Sequence, residues 1–281
     1  AIRPYLEPAG HGPSAEWARE TARRLRCKVC VGYPEIEMSG ERREQGEEKY
    51  YNSLLVVDEN GDTILNYRKA FLYYTDETWA EEGDAARGFL SLPFESPARQ
   101  VDTSFGICMD INPYKFEAPY TAWEFANRVL DSKSQLVVLS MAWLTLLSRE
   151  ELDVLADKPE LDTFNYWIRR FLPLIRRKMD HQADIDGKGG AKKIVIVFAN
   201  RAGEEPSPGD NPPARYAGTS AVIAVTQQPR MERSGSGDEE DFYANAEILC
   251  WDLMGATTEG ICFADTAQEP DMAFRLVKAM G

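Results

Sequence analysis

Short apolar runs recur along the whole chain, and their spacing predicts many strands. The predicted strands are Cys27–Pro34, Ser53–Asp58, Thr63–Tyr67, Val101–Cys108, Leu136–Met141, Ile194–Ala199, Thr219–Val225, Ala246–Trp251 and Ile261–Ala264. Between the second and third of these strands, the Asn60-Gly61 pair is typical of a tight hairpin turn. A hairpin joins antiparallel strands, so we expect a mixed sheet and not a purely parallel one.

Helical periodicity separates many of these runs. It predicts helices over Ser14–Leu25, with Ser14 as the cap, and over Phe116–Asp131. It also predicts a long amphipathic helix over Leu161–His181 and a short one near Asp271–Met280. Buried strands separated by helices are typical of α/β architecture, in which helices cover a sheet.

We expect one domain over residues 1–281, because no repeat and no clear linker divides the chain. Two stretches, residues 203–211 and 227–241, combine dense charge with few apolar residues and are therefore predicted as loop insertions.

The chain is strongly acidic, with a net charge of −14 and an isoelectric point near 4.8, and this charge excludes some classes of function. So acidic a surface argues against binding nucleic acid or an anionic membrane. No apolar run approaches the roughly 20 residues of a membrane span, and the amino terminus is too polar for a signal peptide. We therefore expect neither nucleic acid nor a membrane among the partners, while the oligomeric state stays open.

The five cysteines indicate a reducing compartment, the cytoplasm or the nucleus, because an odd count in a long chain is not a disulfide framework. Cys27 and Cys30 form a C-x-x-C pair, but no second pair completes a zinc site, since Cys250 and Cys262 are too far apart. We interpret the pair as structural and expect no metal and no cofactor.

Cys108 is the strongest candidate for chemistry. It stands where an apolar strand runs into a turn, and a side chain at such a turn is held rigidly and faces the substrate. Neither histidine of the chain, His11 or His181, has the surroundings of a partner for a nucleophile. The expected activators are therefore a carboxylate and a lysine. A cysteine taken alone is more often a small buried apolar residue.

Four groups of residues carry a family resemblance. They are Tyr51-Asn52-Ser53 with Tyr67-Arg68-Lys69-Ala70-Phe71-Leu72, Gly106-Ile107-Cys108-Met109-Asp110, Leu139-Ser140-Met141-Ala142-Trp143, and Ala199-Asn200-Arg201-Ala202-Gly203-Glu204-Glu205 with Tyr216-Ala217-Gly218-Thr219-Ser220. In this order they are similar to motifs of the carbon–nitrogen hydrolase (nitrilase) superfamily. Within it, Ile2–Pro8, Val31–Glu35 and Cys108–Pro119 resemble the fungal N-terminal amidases.

The resemblance implies an α-β-β-α four-layer sandwich that lacks its first strand here. It implies Cys108 as the nucleophile, Lys69 and the backbone N–H of Met109 as stabilisers of the oxyanion, and Glu77 as an accessory carboxylate. The general-base glutamate of the superfamily, in a Pro-Glu motif, would lie upstream of Ala1. Glu35 is too close to Lys69 for that role and is interpreted as a strand-end residue.

The function that the resemblance implies is deamidation of amino-terminal Asn and Gln to Asp and Glu, with release of ammonia, in the N-degron pathway. Such a substrate carries an ammonium group, for which Asp110 and Glu117 are candidate partners, although either could instead cap the helix predicted after Cys108. Trp143 is expected in the pocket wall or in the core. The alternatives are a small-molecule ω-amidase or nitrilase, and a non-catalytic binding protein on the same fold.

Overall fold

The computed structural model describes residues 2–37, 48–94, 96–180, 191–207, 209, 211–227 and 246–275. The chain forms two compact units. The first unit comprises residues 1–90 and 105–122, and the second comprises residues 91–104 and 123–281. The prediction of a single domain stays a prediction.

Within the part of the chain that the structure describes, the first unit contains a mixed four-stranded sheet and one α-helix. Its elements are β1 (Glu7–Pro8), α1 (Pro13–Leu25), β2 (Val29–Glu37), β3 (Lys49–Val57) and β4 (Thr63–Arg68). The strands lie in the order β1-β2-β3-β4, with β1 parallel to β2 and the other pairs antiparallel. The predicted hairpin between β3 and β4 is confirmed, and Gly61 supplies the positive φ of 83° that the turn requires.

Helix α1 packs on the sheet through three alanines, Ala15, Ala18 and Ala22, which are buried in one cluster with apolar residues of β2 and β3. The predicted cap at Ser14 is wrong. The helix begins at Pro13, with Gly12 in the cap position, because proline suits the first helical turn, where its missing N–H is not needed. Ser14 instead donates its N–H and its hydroxyl to the Glu7 carboxylate, at 3.0 and 2.7 Å.

In its described residues, the second unit contains a seven-stranded sheet, a small hairpin and four α-helices. Its elements are β5 (Phe89–Phe94), β6 (Ser96–Ile107), α2 (Glu124–Asp131), β7 (Leu136–Met141), α3 (Arg149–Leu155), α4 (Leu161–Arg170), α5 (Leu172–Arg176), β8 (Lys192–Asn200), β9 (Ala202–Glu205), β10 (Ala214–Ala217), β11 (Ala221–Gln227), β12 (Ala246–Leu253) and β13 (Met272–Arg275). Residues 89–90 of β5 and 105–107 of β6 belong to the first unit.

The large sheet is mixed. Its strand order is β13-β12-β11-β8-β7-β6-β5, with β7 parallel to β8 and antiparallel pairing of β8 with β11, β11 with β12 and β12 with β13. Phe198 of β8 stacks on Trp167 of α4, with ring centroids 5.1 Å apart, and meets Phe171 edge-on at 5.8 Å. Mixed sheets with helices confirm the predicted α/β class.

Two predicted helices are shorter than expected because prolines interrupt them. The segment predicted over Phe116–Asp131 becomes an α-helix only at Glu124, after short 3-10 turns around Pro119. The segment predicted over Leu161–His181 breaks between α4 and α5, since Pro173 has no N–H to continue the helical ladder. His181 lies outside the described residues.

The carboxyl-terminal predictions are wrong. Residues 261–264 form no strand, and the strand lies instead at Met272–Arg275, where a helix was predicted. This segment pairs with the edge strand β12, so tertiary hydrogen bonding overrides local propensity. The predicted loop at 203–211 begins within β9, which pairs antiparallel with β10. Of residues 227–241, all beyond Gln227 lie outside the described part of the chain.

No helix among the described residues is long and apolar enough to cross a membrane.

Candidate active site

Cys108 stands at a sharp turn at the end of β6. The strand ends at Ile107, and Cys108 opens a 3-10 turn that ends at Ile111. Its φ of 45° lies in the left-handed region, which costs free energy for a residue other than glycine and occurs disproportionately at functional sites. The Cys108 side chain is half-buried, whereas Met109 behind it is almost fully buried. The predicted strand-to-turn setting of Cys108 is therefore confirmed.

Asp110 ties this turn to the segment that follows Lys69. Its two carboxylate oxygens accept the backbone N–H groups of Ile107, Ala70 and Phe71, at 2.8, 3.1 and 2.8 Å, and the Tyr67 hydroxyl at 2.9 Å. Burial raises the pKa of Asp110, and the hydrogen bonds to its charged form oppose that shift.

Asp110 is fully buried, and all four of its hydrogen bonds go to protein groups. This geometry favours the capping role over direct contact with a substrate ammonium. It also brings the backbones that precede Cys108 and follow Lys69 to one carboxylate, so the two predicted catalytic residues lie in one local structure.

Lys69 follows β4 and is buried, with only 2% of its surface exposed. Its Nζ lies 2.5 Å from Oδ2 of Asp76, which is also buried. Asp76 accepts two further hydrogen bonds, from Asn52 Nδ2 at 3.2 Å and from the backbone N–H of Tyr73 at 3.1 Å. The backbone N–H of Lys69 in turn donates to the Asn52 carbonyl at 2.8 Å. The lysine is therefore fixed at both its backbone and its ammonium group.

The carboxylate in contact with Lys69 is thus Asp76, whereas the expected accessory residue was Glu77. Glu77 is exposed on the 3-10 turn Asp76–Thr78. Sequence reasoning missed Asp76 because a sequence motif does not distinguish two adjacent acidic residues on the same turn. Only the fold determines which of them points inward.

Tyr73 is a second residue that sequence reasoning missed. Its pKa is raised, first by burial and next by the negative charge of an ionised Cys108, while the Lys69 charge opposes the shift. The backbone N–H of Tyr73 also donates to Asp76 at 3.1 Å, which places this residue beside the Lys69–Asp76 pair. Its position four residues after Lys69 was the only signal in the sequence.

Glu35 lies in β2 and is fully buried, so it is more than a strand-end residue. Its Oε1 accepts Arg68 Nε at 2.9 Å and Nη2 at 2.5 Å, and its Oε2 accepts Ser53 Oγ at 2.6 Å and Asn66 Nδ2 at 2.8 Å. Burial raises the pKa of Glu35, but these hydrogen bonds outweigh burial, so the net pKa is lowered. Both oxygens are occupied, which agrees with a structural role.

Two further residues were predicted for the site, Glu117 and Trp143. Glu117 is exposed at the end of a 3-10 turn that begins at Tyr114. Trp143 belongs to the second unit, where its ring centroid is 5.6 Å from that of Tyr166 and 6.0 Å from that of Trp167. It is half-buried, which is compatible with either role considered for it.

His11 is exposed. Among the described residues, no group of three or more His, Cys, Asp or Glu side chains is arranged to hold a metal ion.

Two curated relatives of the chain are protein N-terminal amidases. No family model matches the chain. The protein N-terminal amidase of Schizosaccharomyces pombe is 30% identical over 240 residues, which is 81% of this chain and 73% of that protein. The protein N-terminal amidase of Saccharomyces cerevisiae is 38% identical over 160 residues, which is 52% of this chain and 33% of that protein.

A solved structure of an N-terminal amidase with a Gln-Val peptide shares the fold. Its TM-score is 0.63 and its identity 21%, over 91% of this chain and 82% of the solved chain. The mixed sheets and helices therefore form the α/β fold of a solved N-terminal amidase. Within that class, the extent of the similarity to the fission-yeast protein shows that the chain belongs to the protein N-terminal amidase family.

Proposed function

We propose that this protein is an amidohydrolase that converts amino-terminal Asn and Gln of proteins or peptides to Asp and Glu. Family membership supports this reaction, and solved N-terminal amidases of the same fold contain Gln-Val or Asn-Glu peptides. The observation that carries the proposal is the joint anchoring of the Cys108 turn and the Lys69 segment by Asp110.

In the proposed reaction, the thiolate of Cys108 attacks the side-chain amide carbon of the first substrate residue. The C–N bond breaks, the nitrogen takes up the proton that the Cys108 thiol gave up on ionising and leaves as ammonia, and an acyl thioester remains on Cys108. Water then attacks the thioester. Its hydroxyl becomes part of the new carboxyl group and its proton returns to the thiolate.

Lys69 and the backbone N–H of Met109 stabilise the negatively charged oxygen of each tetrahedral intermediate. Loss of one such donor typically costs about 3 kcal/mol of barrier. Asp76 holds the Lys69 ammonium in place through its 2.5 Å contact, which limits the conformations that Lys69 adopts. The resemblance implies Glu77 as the accessory carboxylate, but Glu77 is exposed and Asp76 contacts Lys69, so we assign this role to Asp76.

Recognition of the substrate ammonium requires a carboxylate that reaches solvent. Of the two candidates, Glu117 is exposed and Asp110 is buried, so we assign the ammonium to Glu117 and the cap to Asp110. Trp143 remains a proposed part of the pocket wall.

We further propose that the reaction takes place in the cytoplasm or the nucleus, as a step of the N-degron pathway. The odd number of cysteines supports a reducing compartment, and the acidic surface argues against nucleic acid as a partner.

The test is ammonia release from short peptides that begin with Asn or Gln. We expect release from both peptides, loss of release in Cys108→Ala, and unchanged release in the matched control Cys262→Ala, which alters another half-buried cysteine. Because the resemblance places the general-base glutamate upstream of Ala1, the assay includes the 281-residue chain and a version extended to the Pro-Glu motif.

Three outcomes would contradict the proposal. Release from free asparagine or other small amides, but from no peptide, would favour a small-molecule amidase. If neither version of the chain releases ammonia from any amide, the result would favour a non-catalytic binding protein. Ammonia release that Cys108→Ala leaves unchanged would refute the assigned nucleophile.

A further inference from the structure

We infer that Tyr74 and Phe116 form a binding surface for the side chain of the second substrate residue and favour apolar and aromatic residues there. We call these two side chains the aromatic ledge. The inference rests on the proposed function and adds a preference at a position that the chemistry itself does not involve.

The ledge consists of two large apolar rings exposed to solvent. Tyr74 is 59% exposed and Phe116 is 43% exposed, and their ring centroids lie 5.7 Å apart. The angle between the ring planes is 36°, so the rings are tilted and not stacked face to face. Exposed apolar surface of this kind indicates a binding site when it lies beside a functional site.

The ledge is connected to the candidate active site through Tyr73. The Tyr73 and Tyr74 rings have centroids 5.1 Å apart, and the backbone N–H of Tyr73 donates to Asp76, the carboxylate that contacts Lys69. All of these residues belong to the first unit. The exposed aromatic surface therefore begins beside the Lys69–Asp76 pair.

The backbone that carries Phe116 is strained. Lys115 and Phe116 both have a positive φ, of 51° and 55°, and neither is glycine, asparagine or aspartate. Two successive residues in the left-handed region cost free energy that the surrounding structure must offset, and such strain occurs at ligand-binding positions.

Contacts of Tyr114 maintain this strained segment. The Tyr114 ring packs against Phe71, with centroids 5.1 Å apart, and its hydroxyl donates to the Glu82 carboxylate, at 2.9 Å from Oε1. Phe71 is itself held by Asp110 through its backbone N–H. The same carboxylate thus positions the Cys108 turn and the support of the ledge.

Substrate geometry then defines the occupant. Consecutive Cα atoms are about 3.8 Å apart, so the second residue remains close to the residue whose amide reacts at Cys108. Its side chain is free of the reaction and is available to contact the rings. Aromatic pairs and apolar burial favour Phe, Leu or Val at this position over Gly or Asp.

The experiment compares kcat/KM for Asn-Phe, Asn-Leu, Asn-Gly and Asn-Asp peptides that are otherwise identical. The enzyme is the full chain, with Tyr74→Ala, Phe116→Ala and the matched control Tyr5→Ala, which removes another exposed ring of the first unit. We expect wild type to prefer Asn-Phe over Asn-Gly. Each ledge variant should reduce that ratio roughly 2- to 10-fold, mainly through KM, while the control leaves it unchanged.

A further variant, Phe116→Asn, separates loss of binding from misfolding, because asparagine tolerates a positive φ. It should fold as wild type does, by circular dichroism, and should lose the preference. If Tyr74→Ala and Phe116→Asn lower activity on Asn-Phe and Asn-Gly equally, the ledge is not a side-chain site and the inference fails. If wild type releases ammonia from none of the peptides, either as the 281-residue chain or as the version extended to the Pro-Glu motif, the proposed function fails and the ledge with it.

Discussion

The contact between Lys69 and Asp76 leads to the sharpest prediction, because the adjacent acid Glu77 offers a matched control. Asp76→Asn removes the negative charge and keeps the size of the side chain. Glu77→Gln makes the same chemical change one residue later, at an exposed position. If Asp76 holds Lys69, the two variants must differ greatly.

The structure sets the magnitude. The Lys69 and Asp76 side chains are only 3% and 10% exposed, so solvent screens their interaction little. Removing one partner of a buried ion pair costs about 3 to 5 kcal/mol, because the other charge stays buried without compensation. Asparagine retains an oxygen that can accept the Tyr73 N–H, so we expect the lower limit, about 3 kcal/mol. Glu77→Gln should change the free energy of unfolding by less than about 0.5 kcal/mol.

The assay is urea unfolding followed by tryptophan fluorescence and circular dichroism, with ammonia release measured on the same preparations. Asp76→Asn should lower the midpoint strongly and should reduce kcat for an Asn-initiated peptide at least 10-fold, since a misplaced Lys69 no longer stabilises the oxyanion. Near-identical effects of the two variants, or a larger effect of Glu77→Gln, would refute the assignment of Asp76.

Further predictions concern residues around the site. Glu35→Gln should destabilise the protein by about 3 kcal/mol, whereas Glu37→Gln, on a half-exposed carboxylate, should cost under about 1 kcal/mol. The pKa of Glu35 is lowered in the folded state, so the ionised carboxylate stabilises the protein above the ordinary pKa of 4.5, and this stabilisation is lost as the pH falls through the lowered pKa. Below pH 4.5, the urea midpoint of wild type should therefore fall more steeply with pH than that of Glu35→Gln. Asp110→Asn should cost about 3 kcal/mol of stability in the same urea assay and should abolish ammonia release; full activity would contradict its positioning role. Gly83→Ala should destabilise the protein by about 1 to 3 kcal/mol, since an added Cβ would lie 2.2 Å from the Arg68 carbonyl oxygen. An unchanged melting temperature would contradict this and would show that the backbone around Gly83 shifts to accommodate the methyl group.

Local sequence patterns predicted most of the strands and the setting of Cys108. Both ends of the strand Leu136–Met141 were predicted correctly. Every second side chain of this strand is buried, and a strand with one buried face shows this two-residue period in its sequence. The Cys108 turn was predictable for a similar reason, since a strand pattern stops at one residue.

The errors occurred where distant parts of the chain decide the structure. Residues Met272–Arg275 form a strand because β12 offers an unpaired edge, and nothing within the segment itself shows that edge. Asp76 and Glu77 differ only in which of them the turn directs towards Lys69. Asp110 could be a cap or a substrate ligand by sequence, and only its full burial favours the cap.

Direct observation of the acyl enzyme tests the central claim, that Cys108 is the nucleophile of an N-terminal amidase. Wild type and Cys108→Ala would be mixed with an excess of an Asn-initiated peptide, quenched in acid within the first turnover, and analysed by intact-protein and peptide-mapping mass spectrometry. We predict an adduct with the mass of the peptide minus ammonia, located on Cys108 and absent from the variant. The account would be contradicted if ammonia is released, no adduct forms on Cys108, and Cys108→Ala still releases ammonia.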